Sequence, residues 1–157
     1  MKRRFYNCFI LLLAMLVTAI CFVGCGGATT AKLALATETQ IAMSIEKTDG
    51  NASAFDALKS LQEQGKIEFV YTESEYGAYI TSINGKAEEN IESTMTSSKG
   101  YSWTLYTSDI EWAYMDEGST ITIGETVCGK SSVGASALKV KEGCLYVWVY
   151  EYYDYSW

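Results

Sequence analysis

Tyr146, Trp148, Tyr150 and Tyr152 recur at every second position near the end of the chain, and Trp103 and Tyr106 sit on an earlier apolar segment. In a β-strand successive side chains point to opposite faces. The four aromatic residues then share one face, and Leu145, Val147 and Val149 share the other. Aromatic planes stack on sugars, corrins and other flat ligands, and each ring pair adds about 0.5–1.5 kcal/mol beyond area burial. Trp103, Tyr106, Tyr146, Trp148 and Tyr150 are therefore the candidate ligand-binding residues, lining one surface. The competing reading is a second small core beneath the polar segment from Lys86 to Gly100. The aliphatic face suits a core.

Other reactive groups offer less. Glu73 with Glu75, Glu88 with Glu89 and Glu92, and Asp116 with Glu117 are acidic groupings. Paired carboxylates serve glycoside hydrolysis or calcium binding. None has the spacing of a calcium loop, and a solvated surface is the expected reading. The chain has no histidine. That excludes a Ser-His-Asp or Cys-His pair, an HExxH zinc site and imidazole ligation of any metal. Gly129-Lys130-Ser131-Ser132 shares only composition with a phosphate-binding loop, whose glycine spacing is absent. With no nucleophile–base pair, no catalytic residue is assigned. The expectation is a non-enzyme with no metal and no cofactor.

The balance of charge points the same way. The 157 residues suggest one domain, with formal net charge −7. Lys2, Arg3 and Arg4 are the basic residues of the first 24, which hold no acid. Removing those three from the 12 basic residues leaves 9 against 19 acids, a net of −10. That argues against nucleic acid as a partner, since a basic footprint is expected there. It also argues against broad contact with an anionic membrane surface.

The three leading cations precede a run that is apolar from Phe9 to Phe22 apart from Thr18, as in a targeting segment. Phe22-Val23-Gly24-Cys25 follows and resembles the lipobox of bacterial lipoproteins. The resemblance implies that the Cys25 thiol carries a diacylglycerol and becomes the new N-terminus. Residues 1–24 are then a signal peptide and 25–36 a flexible, lipid-anchored tether, opening with Gly26-Gly27. An uncleaved anchor or a plain secretory signal are the other readings, and the apolar run is shorter than the roughly 20 residues of a spanning helix. All three put the domain outside the cytoplasm, on a cell membrane in the lipoprotein case. Cys8 and Cys21 leave with the signal. Cys128 and Cys144 then either pair, which would be worth about 3 kcal/mol, or stay as free thiols.

These groups need elements to hold them. Gln40 to Glu46 alternates Ile41, Met43 and Ile45, as a strand does. Ser53-Ala54-Phe55-Asp56 resembles a capping box. It opens a helix with Ala54, Phe55, Leu58 and Leu61 on one face, ending near Gly65. Strands are expected over Ile67–Tyr71, Tyr79–Ile83, Tyr101–Thr107, Ile110–Tyr114, Ser119–Ile123 and Thr126–Cys128. The final strand begins at Leu145. Asn84-Gly85 is a hairpin-turn signal. Lys86 to Gly100 reads as a polar loop. One helix among many strands points to an α+β fold.

Three segments in order are similar to the C-terminal β-domain of transcobalamin and intrinsic factor. They are the helix Ala54–Leu61, the run Gly77-Ala78-Tyr79-Ile80-Thr81-Ser82-Ile83-Asn84-Gly85, and Gly134–Tyr150. The last has Val140-Lys141-Glu142-Gly143 before the final strand. The Trp103 strand lies between them, and the resemblance spans about residues 40–157, within a domain taken as 37–157. It implies a β-grasp-like fold, a mixed sheet packed on one main helix. It also implies a cobalamin-like ligand, although Cys144 stands where that family carries an acid. The functional expectation is a membrane-anchored, extracytoplasmic module that captures or presents a small ligand through the aromatics of its final strand. A structural or adhesive protein that binds another surface protein is the alternative.

Overall fold

The computed structural model describes residues 29–157. The signal segment, the lipidation site Cys25 and the first four residues of the tether lie outside the described residues. The rest of the expected tether is not a tether. Thr30–Ala36 forms strand β1, which pairs antiparallel with β2 (Gln40–Lys47).

The α+β, β-grasp-like expectation is overturned. The described residues are 56% strand and 8% helix, arranged as two antiparallel sheets. The one helix, α1 (Ala54–Glu63), is a ten-residue element and not a layer. The larger sheet has eight strands. Its main path runs β1, β2, β11 (Leu145–Ser156), β7 (Ser97–Thr107), β10 (Thr126–Ser131) and β8 (Ala113–Tyr114). β6 (Glu89–Ser93) pairs with β7, and β9 (Thr120–Ile123) with β10. The smaller sheet joins β3 (Phe69–Ser74), β4 (Gly77–Ile83) and β5 (Lys86–Ala87).

Local chemistry explains the elements that the sequence announces. Ser53 Oγ accepts from the Asp56 backbone N–H, and the Asp56 carboxylate accepts from the Ser53 N–H, which closes the capping box. Asn84 and Gly85 both have positive φ, at 48° and 80°, as a two-residue hairpin turn between β4 and β5 requires.

The segment from Lys86 to Gly100 contradicts its polar composition by forming β5, β6 and the start of β7. The side chains of β6 are all exposed, so burial leaves no alternation to read. Its strand character comes from hydrogen bonding to β7. At the crossing a Cβ on Gly100 would collide with the Glu89 carbonyl.

The larger sheet is buried on both faces over its central part. One face meets α1, Ile80, Ile83, Leu138 and Val140 in the main core, through Ile41, Met43, Tyr146 and Trp148. The other covers a smaller core of Ala42, Tyr106, Cys128, Val147 and Val149. The assignment of faces is thus the reverse of the one suggested by side-chain chemistry. The aromatic face of β11 lies in the main core, and the aliphatic face in the smaller one.

Candidate functional site

β11 is central where it starts and peripheral where it ends. Leu145 to Val149 lie between β2 and β7. Beyond Val149 only β7 remains alongside, and β7 carries β6 on its far side. The result is a three-stranded ribbon projecting past the core. Exposure along one face of β11 follows this change. Tyr146 and Trp148 are 0% and 1% exposed, Tyr150 is half-buried and Tyr152 is 49% exposed.

The five sequence-named aromatics therefore do not line one surface. Tyr146 and Trp148 are core residues. The Lys141 N–H donates to Tyr146 Oη at 2.8 Å, which satisfies the one polar atom of that ring. Burial is the main reason the Tyr146 hydroxyl is pushed up to about 12. Tyr106 pairs with Val147 and so projects from the opposite face. Trp103 is buried, with Nε1 donating to the Lys86 carbonyl at 2.8 Å. Tyr150 remains half-accessible, its hydroxyl donating to the Ala87 carbonyl at 2.9 Å. β5 thus trims the inner border of the aromatic surface.

The accessible aromatic group on this face is Tyr101, Tyr150 and Tyr152. Tyr101 stacks on Tyr150 at 5.5 Å with planes 11° apart, and meets Tyr152 edge-on at 5.5 Å. Trp103 supports Tyr150 from within at 5.4 Å, and the Lys86 ammonium lies 4.7 Å from the Tyr150 ring centre. The rings form a plane-and-edge shelf with one cation beside it. Sequence reasoning missed Tyr101 as a member. The missing signal was register, because the pairing of Tyr101 with Tyr152 and of Trp103 with Tyr150 joins residues 51 and 47 positions apart.

A groove of about 320 Å³ opens beside the shelf, with Tyr79, Trp103, Lys130, Val133 and Trp148 among its lining. At that size it lies at the lower end of ligand sites. The Tyr79 hydroxyl is pushed up to about 12, chiefly by burial and then by Glu88.

On the opposite face, Glu151 ties three residues together. Its carboxylate accepts from Tyr106 Oη at 2.8 Å and pairs with Lys130 Nζ at 2.9 Å. Burial alone would raise the Glu151 carboxyl, but Lys130, Tyr106 and Thr104 outweigh it and leave it below the usual carboxylate range. A second ion cluster holds the turn after β7. Lys141 Nζ lies 2.8 Å from the buried Asp109 Oδ2, off the line of a well-directed hydrogen bond, and 2.7 Å from Glu111. The Glu151 cluster is hydrogen-bonded internally, whereas Asp109 Oδ2 is balanced by the Lys141 charge without a directed hydrogen bond, and both clusters serve the fold.

Cys128 and Cys144 are free thiols, Cys128 buried in the smaller core and Cys144 packed against the larger one. Of the two readings left open for this pair, the structure has the free thiols. Burial, and then the charge of Cys144, push the Cys128 thiol up to about 11. Among the described residues no group of three or more acidic or cysteine side chains converges to hold a metal ion. Compared with known proteins, the chain matches no protein-family model and no curated sequence.

Proposed function

We propose that the chain is a membrane-anchored, extracytoplasmic and non-enzymatic binding module, and that its contact surface is the Tyr101–Tyr150–Tyr152 shelf. One observation carries the reading. Three tyrosine rings are packed into a single plane-and-edge array on a ribbon that extends beyond the core. Core packing accounts for Trp148 and Tyr146 but not for an array whose outer members stay wet. A stacked pair with a neighbouring ammonium suits a flat, partly polar ligand such as a sugar ring or a planar heterocycle. A corrin is one such plane, and cobalamin is the sharpest form of the reading. The anchor rests on Cys25 and the lipobox-like residues before it.

The test uses the full chain, titrated with cobalamin, haem and a set of oligosaccharides and followed by tyrosine and tryptophan emission and by calorimetry. Binding to at least one probe is expected, lost in Tyr101→Ala and Tyr152→Ala while the Trp148 emission stays that of a buried ring. Silence across the panel, or binding indifferent to both substitutions, overturns the shelf. The anchor is tested separately. A radiolabelled lipid precursor should mark the wild type and not Cys25→Ala, and equal labelling of the two removes the lipid-anchor assignment.

A further inference from the structure

The described strand edges are not equally guarded. Natural sheets protect exposed edges with irregularities, charges or brevity, because bare N–H and C=O groups template pairing with another chain. β1 has two register irregularities and Lys32, and Gln64 Nε2 covers the Ala31 carbonyl at 3.3 Å. β3 and β6 each have an irregularity, and β6 adds Glu89 and Glu92. β5 and β8 have two residues each, and β9 has four.

From Tyr152 to Ser156 the outer edge of β11 has no irregularity and a single charge, Asp154. Its pairing with β7 runs unbroken through eleven positions, from Tyr146 to Ser156, and it contains neither proline nor lysine. The direction of its free groups follows from two hydrogen bonds. The Tyr150 N–H donates outward to the Thr39 carbonyl, and the Trp157 N–H donates inward to the Thr96 carbonyl. Alternation then points the N–H groups of Tyr152, Asp154 and Ser156 away from β7, where no described strand pairs with them.

Charge selects the kind of strand that can pair there. Glu38, beside Thr39, borders one end of the edge, and Asp154 sits at its middle. Lys99, cross-strand from Asp154, is already in a salt bridge with Glu92. Two copies pairing through this edge would add acid to acid. The two faces also differ. Tyr152 and Asp154 share one, and Tyr153 and Tyr155 stack at 5.4 Å on the other.

We propose that the outer edge of β11, from Tyr152 to Ser156, is a strand-addition site for an extended cationic segment of another protein. Basic side chains of that segment face Tyr152 and Asp154, through charge and ring-face attraction, and the alternate apolar ones lie on Tyr153 and Tyr155. The proposal shares Tyr152 with the ligand shelf but needs the edge N–H groups, which the shelf does not, and has no need of Tyr101.

The experiment is fluorescence anisotropy on the full chain with a labelled heptapeptide alternating lysine and valine. Saturable binding is expected. N-methylating two central peptide N–H groups on the pairing side should weaken it about tenfold or more, as expected for losing two hydrogen bonds. Asp154→Pro removes the outward N–H at that position and the carboxylate while sparing the inward ladder, which belongs to the odd-numbered residues, and should abolish binding. A heptapeptide with glutamate for lysine should not bind. Absence of binding, or equal binding of the glutamate or N-methylated peptide, overturns the proposal. So does a wild-type dimer in sedimentation that Asp154→Pro returns to monomer. If Asp154→Pro loses its native circular dichroism, the N-methylated peptide decides the question.

Discussion

Removing Trp148 should cost a large share of the stability margin, whereas removing Tyr152 from the same face of the same strand should cost little. Trp148 is 1% exposed, lies between Ile41 on β2 and Leu105 on β7, and packs with α1 and Val140 in the main core. Truncation of such a ring to alanine costs about 3–5 kcal/mol, as lost transfer energy plus an incompletely collapsed cavity. A domain of this size has about 5–15 kcal/mol in total. With a urea dependence of roughly 2 kcal/mol per molar, the midpoint of Trp148→Ala should fall by roughly 1.5–2.5 M.

Tyr152 is half-exposed and has one cross-strand ring contact, with Tyr101. Losing that contact costs about 0.5–1.5 kcal/mol, or under roughly 0.8 M in urea. The assay is equilibrium urea unfolding of the full chain by circular dichroism, with Trp148→Phe as an intermediate case. Equal midpoint shifts for the two alanine variants would refute the partition of β11 into a core half and a wet half. A Trp148→Ala shift below roughly 0.5 M would do the same.

Two further predictions concern ionisation. Glu151 has a carboxyl held below its ordinary value of 4.5, so its pairing with Lys130 and Tyr106 stabilises the fold above that pH and is lost as pH falls through the lower folded value. Glu151→Gln should therefore lower the melting temperature at pH 7, with the gap to wild type closing below pH 4.5. A gap that persists unchanged at the acid end would contradict the charge network. Cys128, buried and with its thiol pushed up to about 11, should resist iodoacetamide in the native chain while the more accessible Cys144 reacts. Both should label in denaturant without reductant, and mass spectrometry showing neither labelled would reinstate a bridge between them.

The parts of the fold that could be read from the residues are those decided within a few positions. Ser53 and Asp56 close a capping box whatever lies elsewhere, and Asn84-Gly85 makes a tight turn because two adjacent residues must accept positive φ. The final strand and its alternation belong to the same class. What was hidden depends on partners. β6 is exposed on both faces, Ile91 included, and takes its conformation from β7 alone. β1 follows a glycine pair and offers mainly small side chains, so it resembles a linker until β2 lies beside it.

The site was hidden for a related reason. Alternation divides β11 into two faces, but it does not say which face meets the larger core or where neighbouring strands stop. The grouping of Tyr106 with Trp148 failed on register, a property of two strands together. The helix suggested a layered fold because its pattern is clear. Yet ten residues cannot cover an eight-stranded sheet, and the small sheet with the Ala135–Val140 segment completes the cover.

The position of β11 in the chain has a temporal consequence. It is the last described element, yet it stands between β2 and β7 in the sheet. A chain that emerges N-terminus first therefore makes the β1–β2 and β3–β4 hairpins while the centre of the larger sheet is still missing. Neither core can close before Tyr146 to Val149 arrive, and the decisive contacts span about a hundred residues of sequence. Such a chain stays threadable until these residues have emerged, and both cores then close together.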